Sequence, residues 1–137
     1  MMIPTQDQNL PEVLILEDDP PTATILKIWL RGICNISMVT DGDATLRLIE
    51  AHLRQGRTFD LMLFDINIPF PWNGVSLMQE IKKRWEAYQT IPFVAETAYA
   101  MPHDRERILN SGYVDYLPKP LEKQSLIDTL QKHLLRG

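Results

Sequence analysis

Residues 61–69 read Leu61-Met62-Leu63-Phe64-Asp65-Ile66-Asn67-Ile68-Pro69: an apolar run that stops at a carboxylate and is then broken by a proline. A short apolar run between Asp60 and Pro69 reads as a strand covered on both faces, as inside a parallel sheet. Asp65 then stands where that strand leaves the sheet. In an open α/β sheet the carboxyl ends of the strands are where ligands bind, because the connecting loops diverge there and leave a crevice.

Working outward, strand and helix patterns alternate. Val13 to Leu16 is a first apolar strand that runs into Glu17-Asp18-Asp19-Pro20-Pro21. Carboxylates and prolines suit a first helical turn, so a helix is expected from about Pro21 to Arg31, with Ile25, Leu26, Trp29 and Leu30 as its apolar stripe. Asn35 to Val39 is a second strand, and Asp41-Gly42-Asp43 caps a helix to about Arg54 that turns Leu46, Ile49 and Leu53 inward. The loop Pro69 to Gly74 leads into a third helix with Leu77, Met78, Ile81 and Trp85. Ile91 to Glu96 is a fourth strand ending at Thr97. Met101-Pro102 opens a fourth helix to about Asn110, closed by Gly112. Tyr113 to Leu117 is the last strand, broken by Pro118-Lys119-Pro120, and a helix from about Leu121 to Leu135 uses Leu126, Leu130 and Leu134.

This alternation predicts a doubly wound (βα)5 fold, α/β and flavodoxin-like, with a five-stranded parallel sheet in the order 2-1-3-4-5. The first and third strands then lie side by side at the switch point, where Glu17, Asp18 and Asp65 converge. Residues 1–12, polar and carrying Pro4 and Pro11, are expected to be a loose tail, and residues 13–137 a single domain.

The totals narrow the function. A chain of 137 residues, 45% of them hydrophobic, fits one domain with a real core. A net charge of −4 argues against binding a nucleic-acid backbone. No apolar run approaches the roughly 20 residues that span a bilayer, and the N-terminus lacks the regions of a signal peptide, so the expected location is the cytoplasm. The lone Cys34 cannot form an internal disulfide and reads as a small buried hydrophobe. His52, His103 and His133 lie far apart and suggest neither a metal cluster nor a catalytic triad.

Carboxylates from neighbouring strand ends repel by roughly 1 to 4 kcal/mol at about 4 Å. A divalent cation turns that repulsion into binding, and oxygen-only ligands suit Mg²⁺. Thr97 and Lys119, at the ends of strands four and five, bring a hydroxyl and an ammonium to the same edge. Such groups beside a cation are what an incoming phosphoryl group needs. Read singly, the acids are solvated strand ends, Thr97 a strand-end residue and Lys119 a solvated lysine.

The acidic pair Glu17-Asp18 after VLIL, DINIP around Asp65, TAYAMP from Thr97, Gly112 before the last strand and DYLPKP through Lys119-Pro120 together resemble a response-regulator receiver domain over about Val13 to Leu135. The resemblance implies that Asp65 accepts a phosphoryl group from a histidine kinase or histidine phosphotransfer protein in a two-component phosphorelay, with Mg²⁺ required. It implies that Asp18 is a direct metal ligand, that Glu17 acts on the metal largely through water, and that the carbonyl of Asn67 completes the protein ligands with Asp65. Lys119 would hold a phosphoryl oxygen, Thr97 would move in once the group arrives, and Tyr116 would be the aromatic switch that follows Thr97. It further implies a cis Lys119–Pro120 bond, and a partner surface on the fourth helix, strand five and the last helix that serves a downstream protein target or a homodimer. The resemblance also implies that Asn67 and Tyr99, two residues beyond Asp65 and Thr97, tune the lifetime of the acyl phosphate.

Several residues depart from that pattern. The Pro69 to Gly74 loop is one residue longer, and Trp72 is either filler packed on the third helix or a shaper of partner docking. Glu96 stands where an apolar residue is usual. Strand alternation turns it away from Thr97, so it must find a partner, reach solvent or raise its pKa. Pro118 removes a donor, which suits an edge strand. Two competing readings stay open. One is a Mg²⁺-dependent phosphohydrolase, disfavoured because Asn67 rather than an acid lies two residues after Asp65. The other is a vestigial receiver acting as a phosphorylation-independent interaction module.

Overall fold

The computed structural model describes residues 9–98 and 101–134. Its strands are β1 (Glu12–Leu16), β2 (Asn35–Val39), β3 (Leu61–Asp65), β4 (Phe93–Thr97) and β5 (Asp115–Pro118). The helices between and after them are α1 (Pro20–Trp29), α2 (Gly42–Arg54), α3 (Gly74–Arg84), α4 (Pro102–Ser111) and α5 (Lys123–Leu134), with a short 3₁₀ turn at Glu86–Tyr88. The strands form one sheet in the order β2-β1-β3-β4-β5, every neighbouring pair parallel. This is the doubly wound order read from the sequence.

Every residue of the central strand β3 is buried, because helices cover both faces. Alternation divides its neighbours into two cores. Leu14, Leu16, Met62, Phe64, Phe93 and Ala95 face α2, α3 and α4 through Leu46, Ile49, Leu77, Met78, Ile81 and Ile108. Val13, Ile15, Leu61, Leu63, Val94 and Leu117 face α1 and α5 through Leu26, Leu30, Leu126 and Leu130. Each such side chain taken from water contributes roughly 1.5–3 kcal/mol.

Local chemistry sets the helix starts. The Asp19 carboxylate accepts from Thr22 N at 3.1 Å and caps α1, and Asp41 caps α2 through Ala44 N at 2.8 Å. Asn73 and Ser76 form a reciprocal capping box at α3. Gly112 closes α4 with φ 128°, a conformation that disfavours any side chain.

Some expectations need correction. Ile25 is not part of the buried stripe of α1: it is 42% exposed, because only the line through Leu26 and Leu30 meets the sheet. Strand β4 begins at Phe93 rather than Ile91, since Pro92 has no N–H for the ladder; its carbonyl still accepts from Met62 N at 3.0 Å. The 3₁₀ turn, unmarked by any periodicity, buries Tyr88, whose hydroxyl accepts from Phe59 N at 3.1 Å. Trp72 packs over Gly42 at the start of α2, a contact the sequence did not suggest, and its Nε1 donates to Asp43 Oδ1 at 3.1 Å. The Pro118 residue lies in the edge strand β5. The Lys119–Pro120 bond is cis, and Phe70–Pro71 is cis as well.

Of the expected tail, residues 1–8 lie outside the described residues, while the Pro11 carbonyl accepts from Asn35 N at 2.8 Å and Glu12 opens β1. Tyr99 and Leu135 also lie outside them. Among the described residues, no helix is long and apolar enough to cross a membrane.

Candidate functional site

The strands β1, β3, β4 and β5 are consecutive in the sheet, so their carboxyl ends form one edge. Leu16 lies opposite Phe64, Asp65 opposite Glu96, and Thr97 opposite Pro118. Period-2 alternation then carries Glu17, Asp65, Glu96 and Lys119 onto the same face as Val13, Leu63, Val94 and Leu117. Helix α3 begins close behind Asp65. A Cβ on Gly74 would lie 2.7 Å from Ile66 Cα and 3.0 Å from the Asp65 carbonyl, so this approach needs a glycine. Tyr113 fixes the same point by donating its hydroxyl to the Gly74 carbonyl at 2.6 Å.

The resulting pocket holds one ammonium against three carboxylates. Lys119 Nζ lies 2.8 Å from Asp65 Oδ2, 3.4 Å from Glu17 Oε1 and 3.7 Å from Glu96 Oε1. All three acids are buried, and an oxygen of each lies within 4.8 Å of the others. Asp65 Oδ1 accepts from Asn67 N at 2.9 Å, and Glu17 Oε2 from Asp19 N at 3.1 Å.

Burial raises the Asp65 carboxyl above its ordinary value, opposed by the hydrogen bonds from Lys119 and from the Asn67 amide. Burial alone would depress Lys119, but the Asp65 hydrogen bond and the charges of Glu96, Asp65 and Glu17 outweigh it and hold the ammonium protonated. Glu96 is pushed up to about 10, first by burial and then by hydrogen bonding and repulsion from Glu17. Of the three fates open to Glu96, it takes two: Lys119 stands as a partner at 3.7 Å, and its own pKa is raised. As an anion it would leave both oxygens without a hydrogen-bond donor, and Glu17 Oε1 is likewise without one.

The remaining sequence candidates stand around this pocket. Asp18 follows Glu17 on the other side of the chain; it is exposed and lines a shallow cavity with Asp41, Asp43 and Trp72. Asn67 is exposed beyond Asp65. Thr97 is fully buried and points to the α2–α4 side, where it borders a cavity with Asn67, Ser76 and Ile108, while its carbonyl accepts from Lys119 N at 2.8 Å. Tyr116 is half-buried on β5, with the Arg105 guanidinium 5.7 Å from its ring centre. Glu96 is the pocket residue that the sequence did not place there. Its signal was the strand register, which sets it beside Asp65, rather than its adjacency to Thr97.

The pocket offers oxygen donors only, several of them buried and without a hydrogen-bond donor, and this fits a hard divalent cation rather than a soft one. Its other asset is a carboxylate nucleophile with an ammonium in hydrogen-bonding contact.

Comparison with known proteins agrees with this architecture. The chain is 30% identical over 125 residues to an uncharacterized 14.6 kDa protein of Leptolyngbya boryana, covering 90% of each. It is 33% identical over 124 residues to the transcriptional regulatory protein ZraR of Escherichia coli O157:H7, but spans only 26% of that protein's length. Among solved structures, a putative response regulator from Chloroflexus aurantiacus superposes with a TM-score of 0.82 at 26% identity, covering 93% of this chain and all of that one. The receiver domain of the Pseudomonas aeruginosa sensor histidine kinase PA1611, with a magnesium ion in its active-site cleft, superposes at 0.77 with 32% identity, covering 91% of this chain and 98% of that one. Because the sequence model of the response regulator receiver domain matches residues 13–131, the chain belongs to that family.

Proposed function

We propose that this chain is a cytoplasmic phosphoacceptor of a two-component pathway, with Asp65 as the nucleophile and residues 13–137 as the working domain. The observation that carries the reading is the 2.8 Å contact between Lys119 Nζ and Asp65 Oδ2 beside a second buried acid, Glu17. An Asp65 oxygen forms a bond to the phosphorus of a partner's phosphohistidine as the P–N bond breaks. The imidazole leaves with the electron pair and takes up a proton. Lys119 then holds a phosphoryl oxygen as a point charge.

Glu17, Asp18, Asp65 and the Asn67 carbonyl are the groups that would hold Mg²⁺. When bound, that ion supplies positive charge to the transferring phosphoryl oxygens. The donor is a histidine kinase or histidine phosphotransfer protein, a reading supported by the likeness to the receiver domain of the sensor histidine kinase PA1611.

The modified carboxylate carries about −1.5 to −2 charge by analogy with other phosphoryl groups. Thr97 stands behind it on the opposite face and Tyr116 on the neighbouring strand, so a shift of Thr97 toward the new charge opens room for the Tyr116 ring. The output is a changed protein-binding surface on α4, β5 and α5, open to a downstream partner or a second copy.

The test is intact mass after incubation with Mg²⁺ and acetyl phosphate. One phosphoryl adduct on the wild type and none on Asp65→Asn is the expected result. An unmodified wild type would put a phosphorylation-independent interaction module ahead.

A further inference from the structure

The edge of the sheet opposite Asp65 holds a groove of about 990 Å³, within the size range of small-molecule sites. It runs under the amino ends of β1, β3 and β4 and along the last turn of α5. Ile33, Ile91, Pro92 and Leu134 give it apolar walls, and its ionisable groups are Asp60 and His133. Among the described residues no lysine or arginine lines it.

His133 is only 7% exposed, and its Nε2 lies 3.0 Å from Asp115 Oδ2. A carboxylate can only accept, so Nε2 carries the hydrogen and Nδ1 of the neutral ring is left as an acceptor. That Nδ1 is buried and has no hydrogen-bond partner. A buried acceptor without a donor is costly, and the phosphoacceptor scheme does not use this one. Asp115 does not border the groove whereas His133 does, so the imidazole reaches from β5 to the groove wall. Asp60 adds negative charge: its Oδ2 accepts from Glu12 N at 2.7 Å, and its Oδ1 has no partner among the described residues.

The lining calls for an apolar body that carries a hydrogen-bond donor and a positive charge. We propose that the groove binds a small amphipathic amine, its apolar body on Ile33, Ile91 and Leu134, its ammonium donating to His133 Nδ1 and its charge balanced by Asp60. The site is separate from the phosphoryl chemistry at the other edge. It is connected to β5, because Asp115 accepts from His133 with one oxygen and from Tyr116 N, at 2.9 Å, with the other. Occupancy of the groove therefore bears on the strand that carries Tyr116.

The experiment is an NMR titration of the full chain at about pH 8, above the ordinary imidazole value, with phenethylamine, 2-phenylethanol and phenylacetate. Phenethylamine should shift the amides of Ile33, Ile91, Leu134 and Tyr116 saturably and move the His133 Nδ1 resonance. The alcohol keeps the donor without the charge and should bind about threefold more weakly; phenylacetate has neither and should bind about tenfold more weakly or worse. His133→Phe removes the acceptor and should cost phenethylamine about tenfold in affinity. Asp60→Asn removes the charge, keeps an oxygen for Glu12 N, and should cost about threefold. Each variant is read separately, so failure of one to fold leaves the other decisive. Shifts that do not saturate, equal affinity for phenylacetate, affinity unchanged in the variants, or shifts centred on Asn67 and Thr97 at the opposite edge would overturn the assignment.

Discussion

Glu96→Gln should stabilise the metal-free protein, and the gain should grow with pH. The Glu96 carboxyl rises from an ordinary 4.5 to about 10 in the folded chain, chiefly through burial. Below the ordinary value both folded and unfolded chains carry the proton, and the group costs nothing that depends on pH. As pH rises beyond it, the unfolded chain ionises while the folded chain cannot, so the folded state loses about 1.4 kcal/mol per pH unit until it too ionises near pH 10. At about pH 7.5 this amounts to about 4 kcal/mol if Glu96 titrates alone. The Glu96 carboxyl is hydrogen-bonded to Glu17, which softens the loss, and we expect about 2 kcal/mol of added stability in Glu96→Gln between pH 5 and pH 7.5. Urea denaturation of both proteins in a chelating agent, across that range, measures it. A difference that stays flat, or one that favours the wild type as pH rises, would refute the reasoning.

Further expectations follow from other contacts. Tyr113→Phe removes the buried 2.6 Å bond to the Gly74 carbonyl and should cost about 1–3 kcal/mol by denaturant titration. Gly112→Ala forces φ 128° on a side chain whose Cβ meets Met78 at 3.1 Å, and should cost about 1–3 kcal/mol, visible as a lower melting temperature. Lys119→Ala should keep a cooperative unfolding transition yet lose the phosphorylation-dependent change at the α4–β5–α5 surface, read by amide exchange. Asp18→Asn should abolish Mg²⁺ affinity; an unchanged titration would show that Asp18 is not a ligand.

The fold was legible because each strand announces itself as a short apolar run ending in a polar residue, and Glu17, Asp65, Thr97 and Lys119 mark those ends. The sheet order followed from the alternation, and with it the meeting of Glu17, Asp65 and Lys119. What stayed hidden depends on register and on contacts distant in sequence. Alternation alone turned Glu96 away from Thr97, but only the pairing of β3 with β4 sets it beside Asp65. Nothing near Trp72 in the chain pointed to α2, where a glycine at position 42 leaves room for its ring. Ile25 matched the helical stripe, but the seam of α1 against the sheet is narrower than the stripe.

The central claim is that Asp65 itself receives the phosphoryl group. Borohydride reduction of acetyl phosphate-treated protein converts an acyl phosphate to an alcohol, and peptide mass mapping then locates it. Homoserine at position 65, dependent on Mg²⁺, is the predicted outcome; reduction at another acid, or none anywhere in labelled protein, would contradict it.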